Sequence, residues 1–98
     1  MKAALLTQTR VAYTESSFAE IVIWDVPHPL EGSARSYKYR LAFIVDGVCV
    51  LRYDNEPDKG DHRHTLDGEA RYRFVSLDRL FADFDRDIRR FIHEDRNT

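Results

Sequence analysis

Apolar residues recur along this chain with two different periods. Up to Val75 they alternate or cluster in short β-rich runs; beyond Ser76 they take helical spacing. "AALLTQTRVAYTESSFAEIVIWDV" predicts two strands about a turn at Glu15-Ser16-Ser17. In the second, Phe18, Glu20, Val22 and Trp24 alternate with Ala19, Ile21 and Ile23, so much of both faces is apolar and a well-covered strand is expected, with Trp24 in the core. "PHPLEGSARS", residues 27–36, carries two prolines and a glycine and predicts a loop.

"YKYRLAFIVDGVCVLRYDN" contains two β-rich runs joined by Asp46-Gly47, a pair favoured in two-residue type I′ turns. With Val45 opposite Val48, the pairing continues as Phe43 with Val50, Arg40 with Tyr53, Tyr39 with Asp54 and Lys38 with Asn55. One face would then carry Tyr39, Leu41, Phe43, Val45, Val48, Val50, Arg52 and Asp54. The other would carry Lys38, Arg40, Ala42, Ile44, Cys49, Leu51, Tyr53 and Asn55. Cys49, in the apolar middle of its strand, is expected to serve packing. "ARYRFV" predicts another short strand. Ser76 is a good helix N-cap, Asp78 suits the first turn, and Leu77, Leu80, Phe81, Phe84, Ile88, Phe91 and Ile92 form one apolar stripe. Asp83/Asp87 and Arg86/Arg90 are like-charged at i,i+4, while Asp85/Arg89 can pair. The expected fold is α+β: an antiparallel sheet of four to five strands with a C-terminal amphipathic helix packed on one face.

At 98 residues the chain is expected to be one domain, 1–98, able to bury roughly 65% of its unfolded surface. No apolar run reaches the ~18 residues of a membrane span. The single Cys49 cannot form an internal disulfide, which points to a reducing cytoplasm. A net charge of −2 does not attract nucleic acid as a whole-molecule field, although a local basic patch is compatible with it. There is no Gly-rich phosphate loop, CxxC or Gly-x-Ser-x-Gly, so kinase, zinc-ribbon and serine-hydrolase chemistry is unsupported.

Candidate chemistry concentrates in "RYDNEPDKGDHRH", residues 52–64, expected as a loop leaving a core strand. If extended, His62 and His64 point the same way, roughly 6.6 Å apart along the strand. A metal would need a third ligand from Asp54, Asp61 or Asp67. Cleavage of RNA through its own 2′-hydroxyl would need a base, an acid and cations on the phosphate, roles open to His62, His64, Lys59, Arg63, Arg40, Arg52 and Tyr53. A solvated surface on which Asp, Arg and His pair with each other also accounts for this composition. Tyr37 and Tyr39 could stack bases beside Lys38 and Arg40, or simply half-bury in a strand. His28 and His93 carry no interpretable signal.

"YKYRLAFIVDGVCVLRYDNEPDKGDHRH" followed by "YRFVSLDRLFADFDRDI" resembles the TumE-type toxins of bacterial toxin–antitoxin systems, over roughly Leu5 to Phe91. The resemblance falls on Tyr39, Arg40, Arg52, Tyr53, Asp54, Asn55, Lys59, Gly60, Asp61, His62 and His64. It implies a cytoplasmic toxin whose gene is paired with one for a helix-turn-helix antitoxin. The expectation drawn from residues and resemblance together is an endoribonuclease that uses neither metal nor cofactor. His62 and His64 would be its acid and base, Arg40, Arg52 and Lys59 its phosphate cations. Tyr53 would orient a histidine or the phosphate, and Asp61 would fix an imidazole tautomer. Lys38, Tyr39, Asp54, Asn55 and Arg63 would contact RNA. The alternatives are a non-enzymatic toxin that blocks a target, and a metal-dependent nuclease. A homodimer is compatible with any of these.

Overall fold

Asp46 and Gly47 both adopt left-handed backbone, with φ of 51° and 80°, and so form the expected two-residue turn. In the computed structural model, which describes residues 4–26, 37–56 and 59–96, this turn lies within one antiparallel sheet. The strands are β1 (Ala4–Thr14), β2 (Ser17–Asp25), β3 (Tyr37–Val45), β4 (Val48–Glu56), β5 (Gly60–Thr65) and β6 (Gly68–Arg71), and the helix is α1 (Leu77–Arg96). Spatial order equals chain order, a meander of six strands rather than the four to five expected. The predicted 27–36 loop, His28, and Pro57 and Asp58 of the turn expected before the histidines lie outside the described residues. No described helix is long and apolar enough to cross a membrane.

The supposed histidine loop is strand β5, paired along its whole length with β4. Asp61 to Thr65 offers no apolar alternation, so its strand character does not show in hydropathy; the backbone ladder to β4 and β6 supplies it. "ARYRFV" is displaced in the same way. The last strand begins at Gly68, after a turn at Leu66-Asp67, and residues 72–76 lead to the helix without strand pairing. There Ser76 caps α1 as expected, its hydroxyl accepting from Arg79 N–H at 3.1 Å.

One residue of register separates the expected hairpin from the observed one. Val45 opposes Val48 and Ile44 opposes Cys49, but a β-bulge then makes Phe43 oppose Leu51, Leu41 oppose Tyr53 and Arg40 oppose Asp54. Val50 and Leu51, adjacent in sequence, both join the core. Beyond the bulge every β4 side chain changes face relative to the uniform ladder. Leu51 and Tyr53 thereby join Ile23, Tyr39, Leu41 and Phe43 under the helix residues Leu80, Phe84 and Ile88. Without the bulge, Arg52 and Asp54 would enter that core instead. The expected pairing of Arg40 with Tyr53 is therefore incorrect.

The single described helix covers one face of the sheet; the opposite face carries no packed element among the described residues. This corrects two core expectations. Trp24 alternates with the buried Ile23 and remains 36% exposed, and Cys49 is exposed next to its turn. The helix phenylalanines do pack inward: Phe84 is buried, with Phe81 and Phe91 against the core. A Cβ at Gly47 would meet nothing within 4 Å, so Gly47→Ala tests the backbone alone. Its left-handed torsion should cost about 1 kcal/mol, seen as a lower urea midpoint with unchanged slope.

Candidate active site on the uncovered sheet face

Strand pairing brings the candidate residues together in rows. His62 faces Asp54, which faces Arg40; His64 faces Arg52. The next strand adds Arg71 opposite His62 and Glu69 opposite His64. These side chains all project from the face away from the helix. The His62 and His64 rings lie 6.3 Å apart between centroids, as the extended His-x-His geometry predicted.

The two histidines are held differently. His64 Nε2 is 3.2 Å from Asp54 Oδ1, and its Nδ1 is 3.7 Å from Glu69. Asp54 is also 3.0 Å from Arg52 Nε, although that N–H is not aimed at it and makes no hydrogen bond. Arg52, Asp54 and His64 thus form a chain of charge contacts that fixes one imidazole ring. His62 is more enclosed, with its side chain 12% exposed, and its Nε2 is 3.6 Å from Glu69, beyond hydrogen-bonding reach. A cleft of about 460 Å³, lined in part by Lys38, Arg40, Arg52, Asp54 and Glu56, opens beside them. Lys59, exposed in the turn before β5, is 3.9 Å from Glu56. Among the described residues no group of three or more His, Cys, Asp or Glu is placed to hold a metal ion.

Three residues assigned to this site by sequence, Tyr53, Asp61 and Arg63, lie on the helix side, and two more, Tyr39 and Asn55, line the cleft but spend their side-chain polar groups on other partners. Tyr39 is buried and donates its hydroxyl proton to Asp61 at 2.6 Å. Asp61 consequently cannot set a tautomer of His62 or His64. Tyr53, also buried, donates to helix residue Asp87, which accepts from Arg63 Nε at 2.8 Å. Asn55 clamps β3, accepting from Tyr39 N–H at 3.0 Å and donating to the Tyr37 carbonyl at 2.6 Å. The bulge moves Tyr53 and Asn55, and strand alternation places Asp61 and Arg63 opposite the histidines. Two residues were missed, Glu69 and Arg71. The Thr65-Leu66-Asp67-Gly68 turn, once taken as a hairpin, would have placed both beside the histidines.

The helix side holds a second polar layer, made of tyrosine–aspartate pairs. Tyr72 donates to Asp83 at 2.6 Å and Tyr13 to Asp85 at 3.2 Å, besides Tyr53 to Asp87. Burial, and then the neighbouring carboxylates, push the Tyr39, Tyr53 and Tyr72 phenols well above their ordinary range. Burial alone would raise the Asp83 carboxyl, but donation from Tyr72 and Arg79 outweighs it and holds that group below its usual range. These contacts explain how like-charged Asp83 and Asp87 coexist one turn apart: Arg79, Arg86 and Arg63 neutralise them. Asp87→Ala would leave the Tyr53 hydroxyl buried without its acceptor and Arg63 without its counterion. A loss of about 3 kcal/mol is expected by chemical denaturation. A loss below ~0.5 kcal/mol would mean the layer contributes nothing measurable.

Comparison with known proteins agrees with the sequence resemblance. A family model described as Toxin TumE matches residues 3–92, which includes every strand and most of the helix. No curated protein and no solved structure gives a match. The match runs through both the uncovered His face and the tyrosine–aspartate layer, and on that span the chain belongs to the TumE toxin family.

Proposed function

We propose that this toxin is an endoribonuclease that cleaves RNA without a metal, through the paired imidazoles of β5. The observation that carries the proposal is the placement of His62 and His64 on one uncovered face, 6.3 Å apart and flanked by Arg40, Arg52 and Arg71. In-line displacement at phosphorus puts the attacking 2′-oxygen and the departing 5′-oxygen on opposite sides. An acid and a base, each within about 2.6–3.2 Å of its oxygen, must then stand on the order of 6–8 Å apart. One imidazole removes the 2′-hydroxyl proton as that oxygen attacks phosphorus. The other protonates the 5′-oxygen as its bond to phosphorus breaks, leaving a 2′,3′-cyclic phosphate and a 5′-hydroxyl. Arg40, Arg52 and Arg71 offset the charge that develops on the phosphoryl oxygens.

Asp54 is assigned to orienting His64 rather than to contacting RNA. Lys59 remains a phosphate cation supplied by the turn. The partner that restrains the toxin in the cytoplasm is a helix-turn-helix antitoxin covering this face. The deciding experiment incubates purified toxin with RNA in excess chelator and identifies the product ends. Cyclic phosphate from RNA, with a 2′-deoxy substrate left intact, is the expected result. Chelator-sensitive cleavage would transfer the proposal to a metal-dependent nuclease. One observation favours a second reading: both nitrogens of His64 already face carboxylates, which suits a polar network in a binding surface. A wild-type protein that arrests growth while cutting no RNA would establish that reading instead.

A further inference from the structure

Trp24 is the sole tryptophan of the chain, and it is exposed on the same face as the histidines. It faces Lys38 across the β2–β3 pair, and two residues along, on the same face, Arg40 faces Val22. From β2 to β5 is three strand spacings, roughly 14 Å. A few nucleotides of extended single strand cover that distance. Whereas Arg52, Arg63, Arg79, Arg86 and Arg89 each meet an aspartate, Lys38, Arg40 and Arg71 are exposed and form no ion pair among the described residues. The three cations run across the sheet from the Trp24 end to the His62 end. The cleft lined in part by Lys38 and Arg40 lies between.

We infer that Trp24 is a base-stacking subsite for single-stranded RNA, and that Lys38 and Arg40 lead the backbone from it to the histidines. The inference rests on the proposed RNA cleavage and adds how the substrate is held. A large aromatic ring left partly in water at one end of a cationic row suits a strand that offers a π-face and a phosphate at each step. A duplex would hide its bases from the ring, so the substrate class is single-stranded. The subsite is sequence-tolerant, because every base stacks.

The probe is a short 2′-O-methyl RNA, which lacks the attacking hydroxyl and cannot be cut. Titrating it into full-length toxin should quench Trp24 fluorescence, and iodide should then quench less. Binding followed independently by anisotropy of a labelled oligonucleotide should weaken about 5- to 150-fold in Trp24→Ala, and less in Trp24→Phe. In cleavage of unmodified RNA, Trp24→Ala should raise KM and leave kcat nearly unchanged. Lys38→Ala should reduce the salt dependence of binding by about 0.7 in the log–log slope. If Trp24→Ala does not fold, quenching and iodide protection in the wild type still decide. Unchanged affinity in Trp24→Ala, or binding with no response from Trp24, overturns the inference while His-dependent cleavage stands. Trp24-dependent binding without cleavage keeps the subsite and removes the nuclease proposal. A fluorescence response to the antitoxin but not to RNA assigns the face to protein recognition and also overturns it.

Discussion

Replacing His62 or His64 by alanine should slow RNA cleavage by about 10²- to 10⁴-fold, the range for loss of a general acid or base. Tyr53→Phe should leave cleavage nearly unchanged. The contrast is the point of the experiment. Sequence alone groups Tyr53 with the histidines, whereas the bulged β4 turns it toward the helix and into contact with Asp87. Truncating the partly exposed His64 should cost no more than about 0.5 kcal/mol apart from its Asp54 contact, and truncating the more enclosed His62 about 1 kcal/mol. Melting curves therefore separate lost chemistry from lost structure. Asp54→Asn provides a finer test. It keeps the shape of the side chain but removes the charge that meets Arg52 and His64. Its effect should fall on kcat and on the pH profile rather than on KM. Histidine variants that remain folded and fully active would sink the catalytic assignment, and a Tyr53→Phe variant as slow as they are would argue for action through the helix-side layer.

Much of the fold was legible because the residues that decide it act locally. Asp46-Gly47 specifies its own turn, Ser76 its own cap, and the stripe from Leu77 to Ile92 its own helix face. The bulge was not legible in a uniform ladder, since one extra residue costs nothing in composition and reverses every later side chain. A trace of it is present all the same. In Val48-Cys49-Val50-Leu51-Arg52-Tyr53, the apolar phase shifts between Val50 and Leu51. Following Leu51 and Tyr53, rather than Val48 and Val50, would have put Arg52 and Asp54 outside. The site was legible in its histidines, which alternation alone aligns once the segment is extended. It was not legible in its supporting residues. Asp61 is adjacent to His62 in sequence, but strand geometry directs it to Tyr39, while Asp54 and Glu69 arrive from neighbouring strands. The helix aspartates were hidden for a related reason. On a helical wheel they look solvated, and only Tyr53 in β4 and Tyr72 just beyond β6 give Asp87 and Asp83 a buried role.

That buried layer should make the protein sensitive to alkali. Tyr39 and Tyr53 are 2% and 1% exposed, and each phenol donates to a carboxylate that would repel a phenolate. Burial first, and that carboxylate second, hold both pKa values above the ordinary phenol value. The folded state therefore favours the protonated form. Its contribution is fully present below the unfolded phenol pKa of ~10 and is lost as the pH climbs from there toward the folded pKa. Over that window each group costs about 1.4 kcal/mol per pH unit. By pH 12 the pair should remove about 5 kcal/mol, comparable to the whole stability of a small domain. Unfolding is thus expected between pH 11 and 12, roughly. Tyrosinate absorbance near 295 nm should rise in one cooperative step that coincides with loss of far-ultraviolet ellipticity. Tyr53→Phe removes one of these raised ionisations and should shift that step to higher pH, even though it sacrifices a hydrogen bond at neutral pH. Five tyrosines titrating smoothly near pH 10 with the fold intact would show that the phenols reach water without unfolding, and that the tyrosine–aspartate layer is not a closed part of the core.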